Sequence, residues 1–223
     1  DNPTNSLRTY IVGRDVGEIW GYHIEGLFRT DAEAANRKID QSFVNPNIYN
    51  EAVGAYRGLQ AGDLIYADLD DSGAVDYGDY TSDDPGDLRV IGNSRPRYHY
   101  SINAGFTWYG FDFSVFFQGI GRQHIYPGAN NMLFWGPYAR PYSSFISTTF
   151  LTDVWTEDTP DAYYPKARGY AAQGSRSLAQ TNDRYLQNLA YCRLKNLTFG
   201  YTLPSSLTSK IRVEKIRVYF SGD

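Results

Sequence analysis

Two runs of alternating side chains joined by a two-residue turn constrain this chain more than any other feature. From Tyr98 to Trp108, the residues Tyr100, Ile102, Ala104, Phe106 and Trp108 fall on one side, and His99, Ser101, Asn103, Gly105 and Thr107 on the other. After Tyr109-Gly110 the alternation resumes, with Phe111, Phe113, Val115 and Phe117 set against Asp112, Ser114, Phe116 and Gln118. A period of two is the signature of extended chain, and so short a turn joins antiparallel neighbours. Each run reaches the ~9–11 residues that a strand needs to cross a bilayer. A soluble sandwich, which packs one face of each sheet on another, alternates in the same way. The periodicity therefore establishes strands and leaves the membrane open.

A second pair lies near the end of the chain. Tyr191 to Leu203 carries Leu194 and then Leu197, Phe199, Tyr201 and Leu203, so the apolar phase slips by one residue around Lys195-Asn196, as at a β-bulge. Pro204-Ser205-Ser206 is expected to turn the chain, and Ile211 to Ser221 to return as a strand with Ile216, Val218 and Phe220 opposite Arg217, Tyr219 and Ser221. Elsewhere the pattern differs. Thr30 to Gln41 reads as a short surface helix, with Thr30 and Glu33 spaced as a capping box. Gly121 to Asn188 is a Tyr-, Gly- and Pro-rich stretch without a sustained period, the kind of long loop that is either functional or disordered. With short turns at Tyr109-Gly110 and Pro204 to Lys210 on one side, loops of about 30–96 and 121–188 emerge on the other, which is the outer-membrane barrel pattern.

Composition excludes several alternatives. The 21 Lys and Arg are scattered and the net charge is −4, so nucleic acid is not an expected partner. A single cysteine, Cys192, rules out an internal disulfide framework, and with 3 His no Cys/His zinc spacing can be assembled. Cys192 is expected to be a buried or lipid-facing small residue. No run approaches the ~18 apolar residues of a membrane helix, a test that barrels escape because only every second residue must be apolar. The chain opens on Asp1-Asn2-Pro3 without a signal peptide and stops at Asp223 directly after a strand, which reads as a fragment truncated at both ends.

The acidic segment Asp68 to Asp79 fits a twelve-residue calcium loop. Oxygen side chains stand at the alternate positions Asp68, Asp70, Ser72 and Asp76 and at the closing Asp79. Gly73 stands at the turn, Val75 at the apolar position, and the carbonyl of Ala74 is a further ligand. A hard cation needs several oxygens converging at about 2.4 Å, which this spacing supplies. Structural Ca²⁺, or Mg²⁺ in its place, is the expected cofactor. Asp79 stands where a bidentate Glu is usual.

The stretch from His124 to Phe150 carries Tyr126, Phe134, Trp135, Tyr138, Tyr142 and Phe145. Rings on a shaped loop stack on sugars or grip peptide side chains, or else pack on one another to hold the loop together. Tyr126, Trp135 and Tyr138 are the substrate-binding candidates. Trp155, Glu157, Asp158 and Asp161 do not pair as the two carboxylates of a glycosidase, and no nucleophile elbow or phosphate loop is present, so no catalytic residue is expected.

The order of segments resembles the SusC/RagA family of TonB-linked outer-membrane proteins. The resemblance rests on Gly62-Asp63-Leu64-Ile65-Tyr66-Ala67-Asp68-Leu69-Asp70, on Gly73-Ala74-Val75-Asp76 and on Val90-Ile91-Gly92-Asn93-Ser94-Arg95-Pro96-Arg97-Tyr98. It continues through Phe111 to Gly119, Arg193 to Pro204 and Arg217 to Gly222. It implies an all-β fold in which residues 1–223 are part of an antiparallel transmembrane barrel of roughly 22 strands, occluded by a plug. The plug and the last strands lie outside this sequence. The implied function is import of glycans or peptides across the outer membrane of Bacteroidota. The implied partners are the TonB complex, reached through the absent N-terminal part, a SusD-like surface lipoprotein and outer-membrane lipid. The family's acidic glycine loop corresponds to Asp68 through Asp79. The alternative carried alongside is a secreted or surface carbohydrate-binding β-sandwich with structural calcium.

Overall fold

The computed structural model describes residues 2–46, 58–142, 146, 148, 150–174 and 176–223. The chain forms two compact units, Asp1–Ser94 with Ile125–Gln187, and Arg95–His124 with Asn188–Asp223.

The second unit is a four-stranded antiparallel sheet built from β5 (Arg97–Trp108), β6 (Phe111–Arg122), β9 (Tyr191–Thr202) and β10 (Arg217–Gly222), in the order β10-β9-β6-β5. Tyr109-Gly110 forms the tight turn as expected, with positive φ at both residues (47° and 88°), the geometry of the turns that match strand twist. The phase slip in β9 is a bulge. Phe116 pairs with Asn196 and Phe117 with Leu194, so Lys195 is the extra residue. The expected strand from Ile211 is shorter than its sequence suggests. Ser205–Thr208 and Ser209–Ile211 are short helical turns, and Arg212 is left-handed at φ 57°, so the chain reaches extended geometry only at Arg217.

The first unit joins small pieces around one core. β1 (Glu18–Gly21) pairs with β4 (Arg89–Asn93), and β2 (Ile24–Leu27) with β3 (Leu64–Tyr66), both antiparallel. The chain passes between units within β7 (His124–Ile125) and β8 (Gln187–Asn188). The helix expected over Thr30 to Gln41 is confined to Asp31–Ala35, where Thr30 Oγ1 accepts from the Glu33 N–H at 3.1 Å. Instead of a longer helix, Gln41 is buried: its Nε2 donates to the Leu64 carbonyl and its Oε1 accepts from the Tyr66 N–H, so one side chain completes the edge of β3.

The stretch read as a long loop from Gly121 is a packed structure. Trp135, Tyr138, Ala172, Leu178 and Tyr185 are buried together with Tyr66, Val44 and Val75. Rings supply its largest side chains. Trp135 meets Tyr185 edge-on at 5.2 Å, and Tyr164 stacks on both Tyr185 and Tyr138. Among the described residues the sheets are open, the largest has four strands, and no barrel closes.

Candidate functional site

The register of the four-stranded sheet sorts its side chains onto two chemically different faces. Across one row Ala104 pairs with Val115 and Val115 with Leu197; across another, Phe106 with Phe113, Phe113 with Phe199 and Phe199 with Phe220. Trp108, Phe111, Tyr201 and Val218 continue the same face at the turn end. At the other end the Tyr100 ring lies over Gly119, where a Cβ would come within 2.3 Å of it, so the glycine makes room for the ring. This apolar face is bare. Ile102 is 56% exposed, Phe106 59% and Phe220 67%, values typical of charged surface side chains. Cys192 is exposed in the row of Tyr100 and Gly119.

The opposite face presents Ser101, Asn103, Thr107, Asp112, Ser114, Gln118, Arg193, Asn196, Thr198, Arg217 and Ser221, with Phe116, Ile120, Tyr191 and Tyr219 set among them. Asp112 on β6 and Arg217 on β10 form a two-point ion pair on it, with Nε to Oδ1 at 2.9 Å. A strongly apolar face and a polar face on one sheet is the division that lipid outside and water inside impose on a transmembrane barrel wall.

The acidic loop in the first unit is tied at several points. Asp40 brackets it, accepting from Val75 N–H and donating its own N–H to the Gly73 carbonyl. Val75 is fully buried, which fixes the loop's apolar position in the core. Asp68 accepts from the N–H groups of Ser72 and Gly73, and Asp70 also accepts from Ser72. Hydrogen bonding from Ser72 holds the Asp70 carboxyl below the usual carboxylate range.

Carboxylate oxygens of Asp68, Asp70 and Asp87 lie within 4.8 Å of one another. Oxygen donors grouped in this way could hold a hard cation such as Ca²⁺ or Mg²⁺. Asp87 lies outside the expected loop. It accepts from the N–H groups of Leu69 and Asp76, bracing both arms of the loop, and burial pushes its carboxyl pKa up. The remaining expected ligands are not part of this trio. The Asp76 carboxylate takes the Gly78 N–H, the Asp79 N–H goes to Asp84, and Ser72 Oγ turns to the Ala74 carbonyl at 2.9 Å. Asp87 escapes a fixed-spacing motif because it returns to the loop through Pro85-Gly86, beyond the twelve positions.

This division of faces and this loop occur in a chain with identifiable relatives. The TonB-dependent receptor P3 of Formosa agariphila is 25% identical over 212 residues, covering 94% of this chain and 17% of the receptor. TonB-dependent receptor P39 of the same bacterium is 24% identical over 224 residues, covering 89% of this chain and 20% of the receptor. This chain is similar to TonB-dependent receptors. No protein-family model matches it. In fold it matches the solved RagAB peptide transporter, with a TM-score of 0.51 and 18% identity over 92% of this chain and 18% of that one. The chain spans about a fifth of the length of the curated receptors it matches. Both are named as receptors and neither as an enzyme.

The ring candidates for substrate contact sit elsewhere than the sequence reading placed them. Trp135 is 0% exposed and Tyr138 1%, so neither offers a face to a ligand in this structure. Trp135 Nε1 donates to the Pro127 carbonyl, and the Tyr138 hydroxyl to that of Pro165. Tyr126 packs against the same core and donates to the Leu178 carbonyl at 2.8 Å. Burial pushes the phenol pKa of Tyr126 and Tyr138 far up, and that of Tyr164 to about 12. The reason is physical: a large ring with one polar atom gains more from a dry site with a carbonyl partner than from solvent. Phe145 lies outside the described residues.

Proposed function

We propose that this chain is part of an outer-membrane, TonB-dependent importer of glycans or peptides that works with a SusD-like surface lipoprotein. In this reading the sheet β10-β9-β6-β5 is a section of a multi-pass antiparallel barrel of roughly 22 strands, its apolar face in lipid and its polar face toward the interior. The loops at about 30–96 and 121–188 are extracellular. The plug and the TonB-contacting segment belong to other parts of the parent protein.

The single observation that carries the reading is the exposed face of Ile102, Phe106, Phe199, Val218 and Phe220 backed by a face of hydroxyls, amides and charges. A soluble sandwich would bury such a face against a second sheet. The similarity to TonB-dependent receptors supports the same conclusion. The acidic loop is proposed to hold a structural Ca²⁺, or Mg²⁺, on Asp68, Asp70 and Asp87, with the other oxygens of the loop completing the shell.

The test uses the intact parent protein from its native membrane fraction, run on a gel with and without boiling. The expected result is recovery in the outer membrane, a boiling-dependent change in mobility and a co-purifying lipoprotein. Recovery in the soluble fraction with one mobility would overturn the reading.

A further inference from the structure

The connection between β9 and β10, residues Pro204 to Ile216, is inside out. Its buried side chain is a polar one, Thr208 at 1% exposure, held by its hydroxyl to the Ser205 carbonyl. Its large apolar side chains Leu207, Ile211 and Val213 are 51%, 61% and 39% exposed. A connection that meets water arranges these the other way, so the pattern asks for an apolar neighbour.

Two further observations say which neighbour. Lys210, Arg212 and Lys215 stand among those apolar residues, with Glu214 the one acid in the connection and Asp112 on β6 attracting Lys215 from outside it, and among the described residues none of the three basic groups forms a salt bridge. The connection is also continuous with the bare face of the sheet. Leu203 N–H bonds the Ile216 carbonyl at 2.9 Å, and Thr202 N–H bonds Gly110 at 2.7 Å, which sets the connection beside the turn that bears Trp108 (66% exposed) and Tyr109 (85%). Trp and Tyr rings with one polar atom collect where headgroups meet acyl chains. Basic residues interleaved with apolar ones are the composition of segments that lie in that plane, drawn by anionic headgroups.

We infer that Pro204 to Ile216 is a lipid-docking element for an anionic phospholipid surface, in which Leu207, Ile211 and Val213 enter the acyl boundary and Lys210, Arg212 and Lys215 meet the phosphates. The inference rests on the reading of the adjoining sheet as a membrane wall. It assigns the connection a role beyond joining strands: it fixes the depth of this edge of the wall and couples its stability to the charge of the leaflet.

The test places the intact parent protein in vesicles of phosphatidylcholine, with and without phosphatidylglycerol. It follows the temperature at which the folded, fast-migrating band is lost. The wild type is expected to hold its fold several degrees higher when phosphatidylglycerol is present. The triple variant Lys210→Gln, Arg212→Gln, Lys215→Gln should lose that increment while keeping its phosphatidylcholine value. Glu214→Gln should enlarge the increment. A wild type indifferent to phosphatidylglycerol, or a triple variant that keeps the full increment, would overturn the inference. Absence of any boiling-dependent mobility change in either vesicle would instead overturn the membrane-wall reading beneath it.

Discussion

Arg217 on β10 reaches across β9 to Asp112 on β6, and the position it crosses is Gly200, which has no side chain to stand in the way. A Cβ there would lie 2.6 Å from Asp112 Oδ1 and 2.7 Å from Arg217 Nη2. Both obstructed groups end flexible side chains, so an alanine displaces the ion pair rather than the backbone. The pair is partly exposed, at 36% and 25% of its side chains, so solvent screens it and its contribution is small. Gly200→Ala and Asp112→Asn should each lower stability slightly, and together no more than either alone, because both delete the same interaction. Urea unfolding of the parent protein in vesicles reads this directly, and additive costs would show that Gly200 serves another purpose.

The two faces of the sheet predict opposite tolerance to charge at adjacent residues. Val115 lies in the apolar row with Ala104 and Leu197, whereas Ser114 lies in the polar row with Gly105 and Thr198. On the proposed reading of this sheet as a membrane wall, Val115→Arg should cost up to about 2–4 kcal/mol, the penalty for a cation placed on a lipid-facing side, and Ser114→Arg close to nothing. Equal costs at the two positions would contradict the face assignment.

The parts of this fold that were legible in the sequence are those governed by a period. The alternation through Phe106 and Phe113, the turn at Tyr109-Gly110 and the bulge at Lys195 follow from which residues repeat and where the repeat slips. The strand expected from Ile211 begins later because Ile211, Arg212 and Val213 alternate in sequence while their backbone turns helically and then left-handed at Arg212. The core around Tyr164 was not legible at all. Its rings come from distant, aperiodic segments, and a tyrosine looks the same in sequence whether it faces a ligand or a carbonyl. Asp87 was hidden for a related reason, since a motif with fixed offsets does not include a residue that returns after an extra turn.

Trp135 separates packing from ligand contact. It is fully buried against Tyr126, Phe134 and Tyr185, while its neighbour Leu133 is 87% exposed. Trp135→Ala should cost about 3–5 kcal/mol as a large-to-small core change. Leu133→Ala should stay within about 0.5 kcal/mol of the parent. Thermal unfolding followed by tryptophan fluorescence or circular dichroism compares them, and a Trp135→Ala protein of unchanged stability would return the ring to the list of ligand contacts.

Asp63 gives the first unit a pH dependence whose sign is set by burial. Its carboxyl is 4% exposed and its pKa is pushed up to about 6, burial outweighing the attraction of Arg168 at 2.7 Å and the Gln60 N–H. A folded pKa above the unfolded 3.8 means that the native state holds the proton more tightly. The contribution to stability is fully present below about pH 4 and is lost as the pH rises through about 6. Asp63→Asn removes the titration. The stability difference between parent and variant should therefore move against the parent by on the order of 2 kcal/mol between these limits. A difference that stays flat with pH would sink the assignment.

The cation loop makes a prediction that depends on an increment rather than on absolute stability. Asp87 accepts two backbone N–H groups, from Leu69 and Asp76, and an asparagine oxygen cannot keep both when its other atom is a donor. Asp87→Asn should then lower stability even in chelator, so a lower melting temperature by itself says nothing about a metal. The informative quantity is the rise on adding Ca²⁺, which for the parent should reach about 2.7 kcal/mol at a free concentration about 100 times Kd. Asp68→Ala and Asp87→Asn should abolish that rise, because each removes a member of the converging trio. Asp79→Asn should retain most of it, since the Asp79 carboxylate is not part of the trio even though the linear motif places it at the closing position. If Asp79→Asn abolishes the rise and Asp87→Asn preserves it, the loop binds in the linear register and Asp87 is only its brace.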